Sequence, residues 1–347
     1  VLFLWAYEAL ALWDSPWWTA WIALGYFLAA FAIDGWFRGA AFCKYLCPIG
    51  QFNFVQSLVS PAEVRVRDPA VCRSCTTKDC IRGRDGVPGC ELHLFQPRKA
   101  GNMDCTFCLD CVHACPHDNV GILARTPGAE LWRDPQRSGV GRFSRRPDLA
   151  ALVLVLVFGA FANAAGMVGP VVDWQDRLTA RLGLASPRWV VTASSALAVV
   201  GLPALLVGIC TGAGRWLSGD PGRRLEAAAR FTCALVPLGC SMWLAHYAFH
   251  FLTGAGTALP VVQRCAADLG MSLGEPEWGC GCCVTAAPWL LRLEVVLLDL
   301  GLLLSLYTGY RIARERCPGL RQALGAFAPW AALLLLLFAA GIWIVFQ

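Results

Sequence analysis

The run Cys105-x2-Cys108-x2-Cys111-x3-Cys115-Pro116 sets three thiols two residues apart and a fourth immediately before a proline. A [4Fe–4S] cubane asks for that pattern. Two-residue gaps let three thiolates of one tight loop reach three irons, and the fourth thiolate comes from a distant segment. A second set precedes it: Cys72-x2-Cys75-x4-Cys80, then Cys90, with a longer middle gap and Glu91 where a proline would stand. Eight of the 18 cysteines thus fall within residues 72–115 and close as two sets of four. A zinc ribbon or a disulfide knot is the competing use of such thiols. Disulfides are disfavoured in a reducing cytoplasm, and the CxxCxxCxxxCP spacing favours iron–sulfur over zinc. His113 and His117 lie in the same loop; with four thiols for each cluster they are solvent-facing or donate to sulfur rather than serve as ligands.

The elements that hold these thiols are membrane-like. Hydrophobic residues make up 57% of the 347, charged residues 15%, and mean hydropathy is +0.53. An ordinary soluble domain carries about 25% charged residues. The composition excludes a simple soluble globule, a disordered chain and a collagen-like chain. About 20 apolar residues carry a helix across the hydrocarbon. Seven spans are predicted on that basis, 1–13, 17–37, 149–169, 188–213, 231–252, 286–309 and 325–346. The first is short because the chain opens inside an apolar run without Met, as if truncated there.

The polar insert 38–148 carries 16 Lys/Arg against 11 Asp/Glu and so holds the whole net charge of +5. It is no dense basic run, which argues against nucleic acid as a partner. Basic loops mark the cytoplasmic side of a membrane. The insert, the loop 214–230 (Arg215, Arg223, Arg224, Arg230) and the loop 310–324 (Arg311, Arg314, Arg316, Arg321) alternate with the acidic loop 253–285. The insert is therefore expected in the cytoplasm and the C-terminus outside.

FCKYLCP at 42–48, followed by CxxCx4C…GC and CxxCxxCxxxCP, resembles the membrane-bound polyferredoxins. That group includes the iron–sulfur membrane subunits accompanying periplasmic nitrate and nitrous-oxide reductases, and relatives in copper-oxidase assembly. The resemblance covers residues 30–120 best. It implies a cytoplasmic cluster domain on a helical membrane base, passing electrons to or from quinone. The group often carries two CxxxCP motifs; this chain has one, Cys43-x3-Cys47-Pro48, so a specific partner does not carry over. In two-cluster ferredoxins the cysteine before the proline serves the other cluster. That analogy implies one cluster on Cys72, Cys75, Cys80 and Cys115, and a second on Cys105, Cys108, Cys111 and Cys90.

Other groups invite chemistry. Cys43 and Cys47, at i and i+4, read as redox thiols, metal ligands or packed thiols. With Cys210 and Cys233 at similar depth they could form a further site. Trp243, His246, Tyr247 and His250 share one helical face in the outer half of their span. They read as a quinol pocket, a metal pair or an interfacial aromatic belt. No other His lies in the membrane part, so a haem held by this chain alone is disfavoured, although a partner could supply an axial ligand. Asp299 falls near mid-bilayer, as a proton relay towards His246 and His250 or as half of a structural pair. Cys265, Cys280, Cys282 and Cys283 of the outer loop read as disulfides, with a copper site as the alternative.

The expected architecture is mainly α: a polytopic helical bundle with an inserted bacterial-type two-cluster ferredoxin domain. Its parts are two spans in 1–37, an interfacial segment 38–60, the ferredoxin-like domain 61–148, and five spans in 149–347. The expected protein is an electron-transfer subunit of a membrane oxidoreductase in a bacterial inner membrane. It carries two [4Fe–4S] clusters and works with the quinone pool and cytochrome or reductase subunits. Quinone, haem and copper stay open as further cofactors. Copper reduction or assembly for a membrane oxidase is the alternative.

Overall fold

The structure is a computed structural model and describes residues 5, 6, 10, 12, 15–276, 278 and 288–347. The expected span 1–13 and the cysteines Cys280, Cys282 and Cys283 lie largely or wholly outside these. Helix α1, Pro16–Trp36, starts where Ser15 accepts the Trp18 N–H (3.4 Å) and a proline occupies the first turn. None of its side chains is buried. The chain then turns through Gly39 and Ala40, both at positive φ, into α2, Ala41–Tyr45, and α3, Pro48–Gln56. Pro48 has no N–H with which to continue α2 but suits the first turn of α3, so the two helices break between Cys47 and Pro48.

The insert is built on two antiparallel strands, β1 Ala62–Val66 and β2 Val120–Ala124, in the register Ala62↔Ala124 to Val66↔Val120. Three short helices lie between them: α4 Pro69–Ser74, α5 Asp79–Arg82 and α6 Asp110–His113. After β2 comes α7, Ala129–Trp132. The bundle follows: α8 Pro147–Ala165, α9 Gly169–Arg181, α10 Arg188–Ser218, α11 Arg224–Thr232, α12 Val236–Gly254, α13 Ala258–Asp268, α14 Pro288–Arg316 and α15 Leu320–Val345. Single 3-10 turns join α11, α12 and α13 into one run.

The chain is mainly helical, and among the described residues five helices are long and apolar enough to cross a membrane: α1, α8, α10, the run α11–α13, and α15. That is fewer than the seven expected. The first expected span falls largely outside the described residues, and α14 stands outside the five, with Arg292, Glu294 and Asp299 within its 29 residues. A π turn interrupts α10 at Leu197–Gly201. Pro203 offers no N–H to the Val199 carbonyl, which gives the wider turn a cause. Two expected loops contain helices, α9 in 171–187 and α13 in 253–285; both are amphipathic and fit an interface better than a loop.

One continuous core joins the bundle to the base of the insert. Leu58, Leu131, Trp132 and Phe143 pack with Val153, Leu235, Ile312 and Trp330. A separate small cluster surrounds the insert cysteines. Arg230 locks the junction. It is 4% exposed, and its guanidinium donates to the carbonyl oxygens of Leu131, Trp132 and Arg133 and to Glu315. Those carbonyls end α7 and have no partner within it. Arg230→Met leaves buried carbonyls unsatisfied, at about 1–3 kcal/mol each. A lowered thermal midpoint, with earlier proteolysis of the insert than of the bundle, is the expected result; an unchanged midpoint would dismiss the lock.

Candidate functional site

The pairing of β1 with β2 decides where the cysteines go. β1 precedes the first motif and β2 follows the second, so zipping them together carries Cys115 back to Cys72. Asn119 is the clasp. Its carbonyl accepts from Arg67 N–H (2.8 Å), its Oδ1 accepts from Asp68 N–H (2.9 Å), and its Nδ2 donates to Asp68 O (2.7 Å). The same Nδ2 lies 3.4 Å from Cys72 Sγ, while Asn119 N–H donates to Cys115 Sγ at 3.3 Å. One asparagine thus touches one thiol from each motif.

The remaining thiols sort in the same way. Cys80 is buried, and desolvation, reinforced by Cys115, Cys72 and Cys75, pushes its thiol up to about 11. Cys75 is drawn down to about 7, first by the Lys78 N–H against the opposing effect of burial, then by the Thr77 hydroxyl and by a hydrogen bond from His117. His117 belongs to the second motif and Cys75 to the first. In the other group, burial pushes Cys111 up to about 12, and Cys90, Cys105 and Cys108 add to the shift. Burial also raises Cys105, while the Lys99 ammonium opposes it. Lys99 is held by the carbonyls of Val64 (2.7 Å) and Gly101 (2.6 Å). Cys80 thus has Cys72, Cys75 and Cys115 as its neighbouring thiols, and Cys111 has Cys90, Cys105 and Cys108.

Tight loops make this possible. Five non-glycine residues adopt left-handed φ around the cysteines: Lys78, His93, Phe107, Leu109 and Asp118. Phe107 and Leu109 do so inside the Cys105–Cys111 loop, a strain typical of ligand clamps. The fifteen cysteines among the described residues are all free thiols. Among those residues no three His, Cys, Asp or Glu side chains converge tightly enough to share one ion. A cubane does not ask that of them, because each thiolate takes its own iron. Crowded neutral thiols whose ionisation is opposed by burial gain most from a bound cation, which reverses that balance.

The second group stands next to the segment that follows α1. Ala40 N–H donates to Glu91 Oε1 at 3.3 Å, and Lys44 Nζ pairs with Asp104 Oδ1 at 3.0 Å. Glu91 and Asp104 are the neighbours of Cys90 and Cys105. Between them the α2–α3 hinge carries the CxxxCP motif. Cys47 is buried; its Sγ accepts from Gly50 N–H (3.0 Å) and lies 2.7 Å from the Tyr26 hydroxyl. Cys43 is exposed as a residue, yet partial desolvation of its sulfur, followed by the proximity of Cys47, raises its pKa. Cys210 and Cys233 bond instead to the carbonyls of Pro329 and Ala229, each within the bundle core.

Trp243 and Tyr247 stack at 5.2 Å, and His246 meets His250 edge-on at 4.6 Å. Phe52 of α3 packs edge-on against Trp243 at 4.8 Å. The segment that carries the CxxxCP motif thus touches the inner start of this face. From Trp243 to His250 is seven residues, about 10 Å along a helix axis. Asp299 is exposed on the outside of the bundle, whereas Glu294 turns inward and is 6% exposed. Its neighbours on the α14 inner face, Leu290, Leu298, Ser305 and Ile312, are spaced by four and seven residues, a periodicity present in the sequence. Cys265 is exposed. Asn119 and Lys99, which sit against the thiols, carry no spacing signal in the sequence; Glu294 stands out there only as one of the charged residues of the span 286–309.

One curated relative carries the name "Putative electron transport protein YccM", from Escherichia coli (strain K12). It is 37% identical over 78 residues, which is 22% of this chain and 19% of the relative. No family description and no solved structure matches the chain. That likeness and five membrane-length apolar helices fit a membrane electron-transfer role.

Proposed function

We propose that the chain is an integral-membrane iron–sulfur electron-transfer subunit. Cys72, Cys75, Cys80 and Cys115 would hold one [4Fe–4S] cluster, and Cys90, Cys105, Cys108 and Cys111 a second. The observation that carries the reading is the interleaving of the two motifs, with Asn119 bonded to both Cys72 and Cys115. When bound, each cluster supplies a one-electron redox centre. The chain's own residues prepare for it. Asn119, His117 and the Lys78 amide aim N–H groups at the sulfurs, and Lys99 places positive charge beside Cys105, which favours thiolates and raises the affinity for added electrons.

The salt bridge Lys44–Asp104 and the contact of Ala40 with Glu91 hold the Cys90 group against the membrane segment. This makes that group the side facing a membrane-borne donor or acceptor, and quinone is the class of partner its position suits. Phe52, resting on Trp243, ties the same segment to the face bearing His246 and His250. The basic loops favour a cytoplasmic insert on a bacterial inner membrane, with other redox subunits as partners.

Iron and acid-labile sulfide counting, with EPR before and after a quinol is added, tests the reading. About eight irons per chain are expected from two four-iron clusters. Zinc in their place, or a count near four, would overturn the two-cluster assignment.

A further inference from the structure

At the end of the bundle that carries the insert, α10 stops at Ser218 and α11 begins at Arg224. The turn between them frames an open, shallow cleft lined by Gly212, Arg215, Trp216, Gly219, Asp220 and Arg224. Two arginines, Arg215 and Arg224, line it. Arg224 folds back over α10, so that a Cβ on Gly212 would lie 3.3 Å from its Nη2, and it makes no hydrogen bond among the described residues. Arg215 engages only its Nε, on the Asp220 carbonyl (3.3 Å). The one carboxylate in the wall is already neutralised: Asp220 accepts from Arg316 Nη2 at 2.6 Å and from Gly222 N–H at 2.8 Å. The first turn of α11 has no side-chain cap, and its one acid, Glu226, is not among the residues that line the cleft.

The cleft is bordered by apolar surface rather than water-seeking surface. Trp216 is 82% exposed, and Ile209 and Leu205 stand out on the same side of α10 at spacings of seven and four residues. Arg230, six residues past Arg224, bonds the base of the insert, so the cleft lies at the insert-bearing end of the bundle. Arginines with unused donors, beside an exposed tryptophan and a lipid-facing stripe, match a group with a phosphate at one end and acyl chains at the other.

We propose that this cleft binds the phosphate of an anionic phospholipid, with Arg215 and Arg224 as its ligands and the Leu205–Ile209–Trp216 stripe beneath the acyl chains. The proposal does not depend on the clusters. The full chain, purified in detergent and stripped of lipid, is offered phosphatidylglycerol, phosphatidylcholine or inorganic phosphate, and retention is read by native mass spectrometry. Wild type is expected to prefer phosphatidylglycerol, with binding that weakens as salt rises. Joint R215Q/R224Q lowers retention about thirtyfold. The charge-matched control R314Q/R321Q changes it little, and R215K/R224K keeps part of it, which separates lost charge from lost fold. Equal retention by R215Q/R224Q, salt-independent binding, or inorganic phosphate displacing the lipid at comparable concentration would overturn the assignment.

Discussion

Cys115→Ser is expected to remove the cluster whose other ligands lie in the first motif, not the one formed by its own loop. Iron should fall from about eight to about four per chain, and the signal of a single cluster type should survive. Cys90→Ser is expected to remove the other. The pairing is decided by double substitutions. If Cys72 and Cys115 serve one cluster, Cys72→Ser with Cys115→Ser loses no more iron than either alone. Cys105→Ser with Cys115→Ser loses both clusters. Such non-additivity is the mark of residues acting on one site. Uncrossed ligation reverses the two outcomes and would refute the arrangement built by Asn119. The effect is large because a missing thiolate leaves an iron without its strongest ligand, and neither Asn119 nor His117 is a thiolate.

The second large effect concerns a buried charge network at the base of the insert. Glu130 is 7% exposed, with Oε2 3.0 Å from Arg137 Nε and Oε1 on Arg125. Arg125 and Arg137 are themselves buried, at 6% and 2% side-chain exposure. Glu130→Ala leaves both guanidiniums with lesser partners: Glu63 at 3.5 Å and Asp134 at 4.0 Å. Removing one member of a buried pair costs about 3–5 kcal/mol, because an uncompensated charge stays behind. A domain of ordinary stability has only about 5–15 kcal/mol to lose. Glu130→Ala and Glu130→Gln should therefore both lower the thermal midpoint substantially, since neither side chain restores the negative charge between the two guanidiniums. A Glu130→Gln midpoint equal to wild type would show that packing and hydrogen bonding, not charge, hold this junction.

Hydropathy reached the long apolar helices. The expected spans 17–37, 188–213 and 325–346 correspond to helices Pro16–Trp36, Arg188–Ser218 and Leu320–Val345. Burial of a continuous apolar run in lipid is a local demand, so the local sequence carries it. Polarity misled where a helix is amphipathic: Gly169–Arg181 and Ala258–Asp268 read as loops because half of each faces water. Asp299 drew attention as a mid-span carboxylate, yet which of two acids turns inward depends on the rotation of the helix against its neighbours. That rotation is set by packing of Gly301 against Ser241 and of Ser305 against the Leu238 amide.

By itself the sequence determined the two cysteine motifs, the apolar spans and the basic insert, because each is a matter of residue type at short separation. Only the tertiary structure decided which thiols become neighbours, since strands 54 residues apart must pair before Asn119 can reach Cys72 and Cys115 together. It also decided that the CxxxCP segment lies between the Cys90 group and Trp243, and that a single arginine fastens the insert to the bundle. Long-range contacts of this kind are chosen by the free energy of the whole packed chain, and no short window of residues contains it.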